Sequence, residues 1–196
     1  MINTGIKIPN ITLPSINGEI FNSSQLQGKP FMLSFFRFAS CPFCNLRIFE
    51  LSKKFDELGE DFTIVAIFNS PIDRLSSQGN KHNAPFYILA DEFNKYYQQY
   101  GIENSVLGMI KGWTLRLPIL VKGLLKGYIP LEINHKWTIM PASFLIDKEG
   151  VIQRAYYGKD EGDPTTYHSM MWSVFLLMEK SRSILQYLAK VSENSI

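Results

Sequence analysis

Cys41 and Cys44 are the only cysteines in the chain, and two residues, Pro42 and Phe43, separate them. A thiolate, not a thiol, is the nucleophile in sulfur chemistry. A helix N-terminus stabilises a thiolate through its unpaired N–H groups and partial positive charge. In such settings thiol pKa values fall from about 8.5 into a range of roughly 3.5–7.5. One helical turn with two intervening residues brings both sulfurs within bonding distance, so the pair can cycle between dithiol and disulfide. Pro42 falls at the first helical position, where no hydrogen bond is lost and the turn is fixed. Arg37 and Arg47 are the nearby cations that can lower a thiol pKa further.

Two blander readings compete: half of a metal site shared between subunits, and two inert core cysteines. Four-thiolate zinc is excluded by the count, and His82, His135 and His168 are scattered, so neither metal nor other cofactor is expected. A Cys-x-x-Cys that follows a buried strand and opens a helix reads as a redox pair. Met140-Pro141-Ala142, just before an apolar strand, is the second feature of interest, because a proline there marks an edge or a tight turn. His168 with Asp160, Glu161 and Asp163 could form a proton-transfer group near the start of the last helix, but a solvated cap is the better reading. Gly28-Lys29-Pro30 lacks the spacing of a phosphate-cradling loop.

The elements that must position these residues follow from the apolar pattern. Asn17-Gly18 is a hairpin signal. Phe31 to Phe36, Phe62 to Phe68 and Phe86 to Ala90 are continuous apolar runs of the kind buried on both faces of a parallel sheet. Between them, Leu46, Phe49, Leu51, Phe55 and Leu58 keep a helical period that Gly59 ends. Asp91 can cap a helix running to Tyr100 and stopping at Gly101. Ala142–Ile146 and Val151–Tyr157 bracket the turn Asp147-Lys148-Glu149-Gly150, and a last helix fits Thr165 to about Val191, with Pro164 just before it. The order predicts an α/β fold in one domain spanning residues 1–196: a central mixed sheet flanked by helices, an N-terminal β-hairpin and a closing β-hairpin.

Residues 103–137 interrupt the rhythm as an apolar and basic insertion. Lys111, Arg116, Lys122 and Lys126 lie among Trp113, Leu115, Leu117 and Leu124, broken by Pro118 and several glycines. Such a segment can touch a membrane surface peripherally. The favoured expectation is that it packs beside the cysteine groove or forms a subunit contact, as in a homodimer.

Composition narrows the partners. The 196 residues carry 20 Lys+Arg against 18 Asp+Glu, and a net charge of +2 does not point to nucleic acid. No stretch is long and apolar enough to span a membrane, and the N-terminus lacks the pattern of a signal peptide. Glycosylation triplets at Asn10 and Asn22 matter only in a secretory compartment, so the expected location is cytoplasmic.

Three segments, PheMetLeuSerPhePheArg, CysProPheCysAsnLeu and ProAlaSerPheLeuIleAspLysGluGly, together resemble the thioredoxin-fold alkyl hydroperoxide reductase/thiol-specific antioxidant superfamily, and within it the peroxiredoxin-like branch. The resemblance covers roughly residues 5 to 180. It implies a thioredoxin-like fold, with Pro141 cis and facing the cysteines to shape a groove where a partner disulfide docks. In thioredoxin-type members the first cysteine attacks, here Cys41, and the second, Cys44, resolves. Aligned instead to the peroxiredoxin pattern, Cys44 falls on the peroxidatic cysteine, Cys41 on its Thr/Ser and Arg37 on its proline. That family's peroxide-activating arginine falls on Pro141, which leaves Arg37 as the candidate to supply charge from another direction.

The resulting expectation is a thiol–disulfide oxidoreductase with antioxidant function, using Cys41 and Cys44 with Pro42, Arg37, Arg47 and Pro141 in support. Its partners are a disulfide or peroxide substrate and an external thiol reductant. The alternatives are a thiol-dependent peroxidase with Cys44 peroxidatic, and a non-catalytic redox-sensing module.

Overall fold

The computed structural model describes residues 2–79, 82–130, 138–160 and 174. Five strands form the main sheet: β3 (Phe31–Phe35), β4 (Thr63–Phe68), β5 (Tyr87–Ala90), β6 (Ala142–Ile146) and β7 (Ile152–Tyr157), in spatial order β5-β4-β3-β6-β7. β3, β4 and β5 run parallel, while β6 is antiparallel to β3 and β7 antiparallel to β6. The N-terminal hairpin β1 (Thr12–Pro14) and β2 (Ile20–Asn22) turns at Gly18, whose φ of +86° suits glycine. At the closing turn Gly150 takes φ +80°, and the Asp147 N–H donates to the Val151 carbonyl.

The apolar runs become central strands because every second side chain finds a different core. On one face Met32, Ile64, Ala66, Phe68 and Leu145 meet α1 (Pro42–Lys53) and α2 (Ile72–Gly79). On the other, Phe31, Leu33, Phe35, Val65, Ile67 and Phe144 pack against the tyrosines Tyr96, Tyr97 and Tyr100 at and just after α3 (Lys95–Gln99). Continuous apolar sequence without alternation is what a sheet covered on both faces requires. Ser34 and Ser143, facing each other across β3 and β6, satisfy one another at 2.9 Å.

Local boundaries differ from the sequence pattern in two places. The helix of Leu46 and Phe49 ends at Lys53, and the chain continues as a 3-10 turn, Phe55–Leu58, before Gly59 at φ +74°. A helical apolar period does not distinguish the two geometries over so short a stretch. Asp91 does cap the next helix, accepting from the Lys95 and Tyr96 N–H groups, but helical backbone starts only after Asn94, at φ +58°.

The insertion folds into two helices, α4 (Val106–Leu115) and α5 (Leu117–Leu125). Ser105 caps α4 by accepting from the Gly108 N–H, and Pro118 sits in the first turn of α5, where its missing N–H costs nothing. The predicted last helix lies outside the described residues except Val174, which is helical and buried in the core that also holds both cysteines.

Candidate active site

β3 ends at Phe35, and the loop that follows carries Arg37 to Cys41 before α1 begins. Neighbouring elements pin this loop from both sides. The Asn69 N–H donates to the Arg37 carbonyl, Ser70 Oγ accepts from the Ala39 N–H, and the Tyr97 hydroxyl reaches the Phe36 carbonyl. Cys41 is the N-cap of α1: its Sγ accepts the Cys44 N–H at 3.3 Å, the place an oxygen would take in an ordinary cap. Pro42 occupies the first helical position as its fixed φ favours.

Arg37 is 2 % exposed, and its Nη2 donates to Cys41 Sγ at 3.1 Å. The guanidinium also lies 5.4 Å from the Phe38 ring centroid and 5.9 Å from that of Phe43, two aromatic faces that suit a buried cation. Its backbone N–H donates to Cys44 Sγ at 3.4 Å. Burial pushes the Cys41 pKa up, but the Cys44 thiol, the Arg37 charge and the Cys44 N–H outweigh it and bring Cys41 down to about 6. Cys44 goes the other way: burial, followed by the neighbouring Cys41 thiolate, holds it well above the usual thiol value. The pair therefore carries one negative charge near neutral pH, seated on Cys41 and steadied by the Cys44 S–H.

Arg47 and Pro141 stand apart from this arrangement. They line a shallow pocket with Phe36 and Leu51, and Arg37, not Arg47, is the cation that lowers Cys41. The Met140–Pro141 peptide is trans, against the cis geometry that the resemblance implied. The Pro141 carbonyl accepts the Gly158 N–H at 2.7 Å, and a Cβ on Gly158 would come within 2.7 Å of Pro141 Cγ. Pro141 is thus fastened to the end of β7.

Access is the second correction. Cys41 is 0 % and Cys44 5 % exposed, so in this conformation no groove offers either sulfur to a docked protein disulfide. The cover comes from α5. Leu120 joins the core around Cys41, Phe43 and Cys44, and Gly123 lies so close to Pro42 that a Cβ there would stand 3.1 Å from the proline Cβ. Lys126 Nζ sits 4.0 Å over the Phe49 ring, and Lys122 reaches Glu50 at 3.3 Å. Packing beside the cysteines, the favoured expectation for the insertion, is what this arrangement shows. Gly123→Val is expected to lever α5 away, lowering stability by about 1–3 kcal/mol and speeding iodoacetamide labelling of Cys41 in the folded protein. Unchanged melting and labelling would mean that another contact closes the site.

Asn45 and His82 were not singled out from the sequence. The buried Asn45 amide donates to the Ala39 and Cys41 carbonyls at 2.7 and 2.9 Å, and its oxygen pairs with His82 Nε2 at 2.7 Å. Asn45 ties the cysteine loop to its own helix. Its signal is its place in the CysProPheCysAsnLeu segment, directly after Cys44, whereas His82 arrives from a distant segment. Of the acidic cluster, Asp160 is buried, against the solvated cap expected of it, and paired with Arg116 at 3.3 Å, while Glu161, Asp163 and His168 lie outside the described residues. Among the described residues no group of three His, Cys, Asp or Glu side chains converges to hold a metal.

The chain is 29 % identical over 158 residues to a putative peroxiredoxin bcp of Coxiella burnetii, covering 79 % of this chain and 88 % of that one. It is 25 % identical over 150 residues to peroxiredoxin Bcp of Bacillus subtilis, covering 76 % and 81 % respectively. In fold it matches peroxidoxin BcpB of Mycobacterium tuberculosis with a TM-score of 0.64 at 17 % identity, over 90 % of this chain and 98 % of the other. The model of the AhpC/TSA family matches residues 4–155, a span that holds the whole sheet but the last strand's end and the complete cysteine turn. The chain belongs to the AhpC/TSA family and is a thiol-dependent oxidoreductase of thioredoxin fold.

Proposed function

We propose that this protein is a thiol peroxidase that reduces a hydroperoxide at Cys41, with Cys44 as the resolving thiol. The observation that carries this reading is a sulfur that accepts from a buried guanidinium and is sealed under a helix. A hydroperoxide group is small enough to reach it through a minor opening, whereas a protein disulfide needs an exposed sulfur and a docking groove. The names of the bacterial relatives, both peroxiredoxins, support the same side of the choice.

In the first step the Cys41 thiolate attacks the nearer peroxide oxygen. The S–O bond forms as the O–O bond breaks, and the departing alkoxide or hydroxide takes a proton, leaving Cys41 as a sulfenic acid. Breaking the O–O bond puts charge on oxygen, and a fixed donor aimed there lowers the barrier. Arg37 is the cation in place for it. Cys44 then attacks the sulfenic sulfur through its own, the disulfide forms, and one water leaves. An external dithiol returns both cysteines to thiols while becoming a disulfide itself.

The test is stopped-flow mixing of reduced protein with one equivalent of hydrogen peroxide. Expected is the consumption of one peroxide and two thiols per chain with an intramolecular disulfide as product. Insulin-disulfide reduction without peroxide consumption would overturn the proposal in favour of a disulfide reductase.

A further inference from the structure

The hairpin of α4 and α5, whose second helix helps cover the cysteines, turns an apolar face to solvent. Leu107, Ile110, Leu115, Leu117, Val121 and Leu125 are all exposed, the last at 84 %, although large apolar side chains normally leave water. From residue 104 to 130 the sequence contains no Asp or Glu, and its only charged side chains are Lys111, Arg116, Lys122 and Lys126. Arg116 is engaged with Asp160, Lys122 reaches Glu50 and Lys126 lies over the Phe49 ring, yet all three lysines stay exposed to solvent. A two-helix segment that is apolar outward and wholly cationic matches an interface with acyl chains below and anionic headgroups around. A second copy of the chain fits less well, since a two-fold contact would set lysines against lysines with no acid in the segment to answer them.

We propose that the α4–α5 hairpin docks this protein onto an anionic lipid surface. No described helix is long and apolar enough to cross a membrane, and the contact proposed is a peripheral one through α4 and α5. Given the peroxidase reading above, docking would lay the cover of Cys41 against the lipid, where hydroperoxide groups on oxidised acyl chains arise.

The experiment is co-flotation of the reduced protein with vesicles of phosphatidylcholine alone and of phosphatidylcholine mixed with phosphatidylglycerol, read without any turnover. Each lysine near an anionic surface contributes about fivefold, so Lys111 and Lys126 together predict binding roughly 30-fold tighter to the mixed vesicles. The double variant Leu107→Asp, Leu125→Asp is expected to lose flotation while its melting and its hydrogen peroxide turnover in solution stay those of the parent. Should that variant fold poorly, Lys111→Glu with Lys126→Glu is expected to abolish the preference for phosphatidylglycerol. Absence of binding to the mixed vesicles, or equal binding to both kinds, overturns the proposal, as does a parent dimer in sedimentation that the apolar variant splits into monomers. Because flotation needs no peroxide chemistry, its failure and a failure of the peroxidase reading are separately visible.

Discussion

Cys44→Ser, fully reduced and mixed with hydrogen peroxide, is expected to consume one equivalent at close to the parent rate and stop at a sulfenic acid on Cys41, which dimedone traps. Cys41→Ser is expected to react roughly 100-fold more slowly or worse at pH 7. The difference follows from the proton's place. With a pKa of about 6, Cys41 is mostly thiolate at neutral pH, while Cys44 is held well above the usual value and is nearly all thiol. A thiol whose pKa stays at or above about 9 is thiolate for only about 1 % of the time at pH 7, and reactivity follows that fraction. Serine is the right replacement at Cys44 because its hydroxyl keeps a donor towards Cys41, so Cys44→Ala should react more slowly than Cys44→Ser. The opposite pattern, rapid sulfenic acid formation on Cys44 in Cys41→Ser, would restore the assignment that the peroxiredoxin alignment implies and overturn the one made from electrostatics.

Arg37→Met is the second large effect. It removes the Nη2 donor 3.1 Å from Cys41 Sγ and a positive charge that lowers both sulfurs. The Cys44 hydrogen bonds remain, but burial is then opposed by less, and the midpoint of Cys41 alkylation against pH is expected to climb from about 6 towards the ordinary thiol value. Peroxide reduction at pH 7 should fall with the lost thiolate fraction, by roughly 10-fold or more. Raising the pH separates two roles. Full recovery of rate in alkali means that Arg37 acts through the thiolate, whereas a remaining deficit of about 10²–10³-fold means that it also donates to the leaving oxygen. An unchanged alkylation midpoint would remove Arg37 from the mechanism.

The same shift sets the direction of stability against pH. The folded pKa of Cys41 lies below its unfolded value, so its contribution to stability is complete above the unfolded pKa and is lost as pH falls through about 6. Wild-type melting temperature should therefore fall between about pH 8 and pH 5, with a flatter profile in Arg37→Met. Loss of the guanidinium need not unfold the protein, because a thiolate deprived of its cation neutralises by taking up a proton, an escape that a buried ion pair of strong acid and base lacks.

Much of the frame was legible in order along the chain. The five strands of the main sheet fall within a residue of the expected spans. For β3, β4 and β5 the reason is local, since a strand covered on both faces is apolar at nearly every position. β7, with Gln153 and Arg154 exposed, was marked instead by the turn at Asp147 to Gly150. Gly18 and Gly150 mark their turns for a local reason too, since the left-handed backbone there excludes most side chains. Asp91, Pro42 and the cysteine spacing are equally local. The trans peptide at Pro141 was not legible, because the resemblance carried a family habit to a position whose partner, Gly158, lies on another strand's end.

From its own order of residues the chain determined that a pair of thiols would open a helix behind a buried strand, since every requirement for that lies within one turn and one strand. Which thiol holds the charge, and what stands between it and water, was decided only by folding. Arg37 must be pressed between Phe38 and Phe43 and turned inward by Asn69 and Tyr97, and α5 must arrive from nearly eighty residues away to cover Pro42. The physical reason is range: backbone preference acts over a few residues, whereas dielectric, charge and access at a sulfur depend on whatever the fold packs around it.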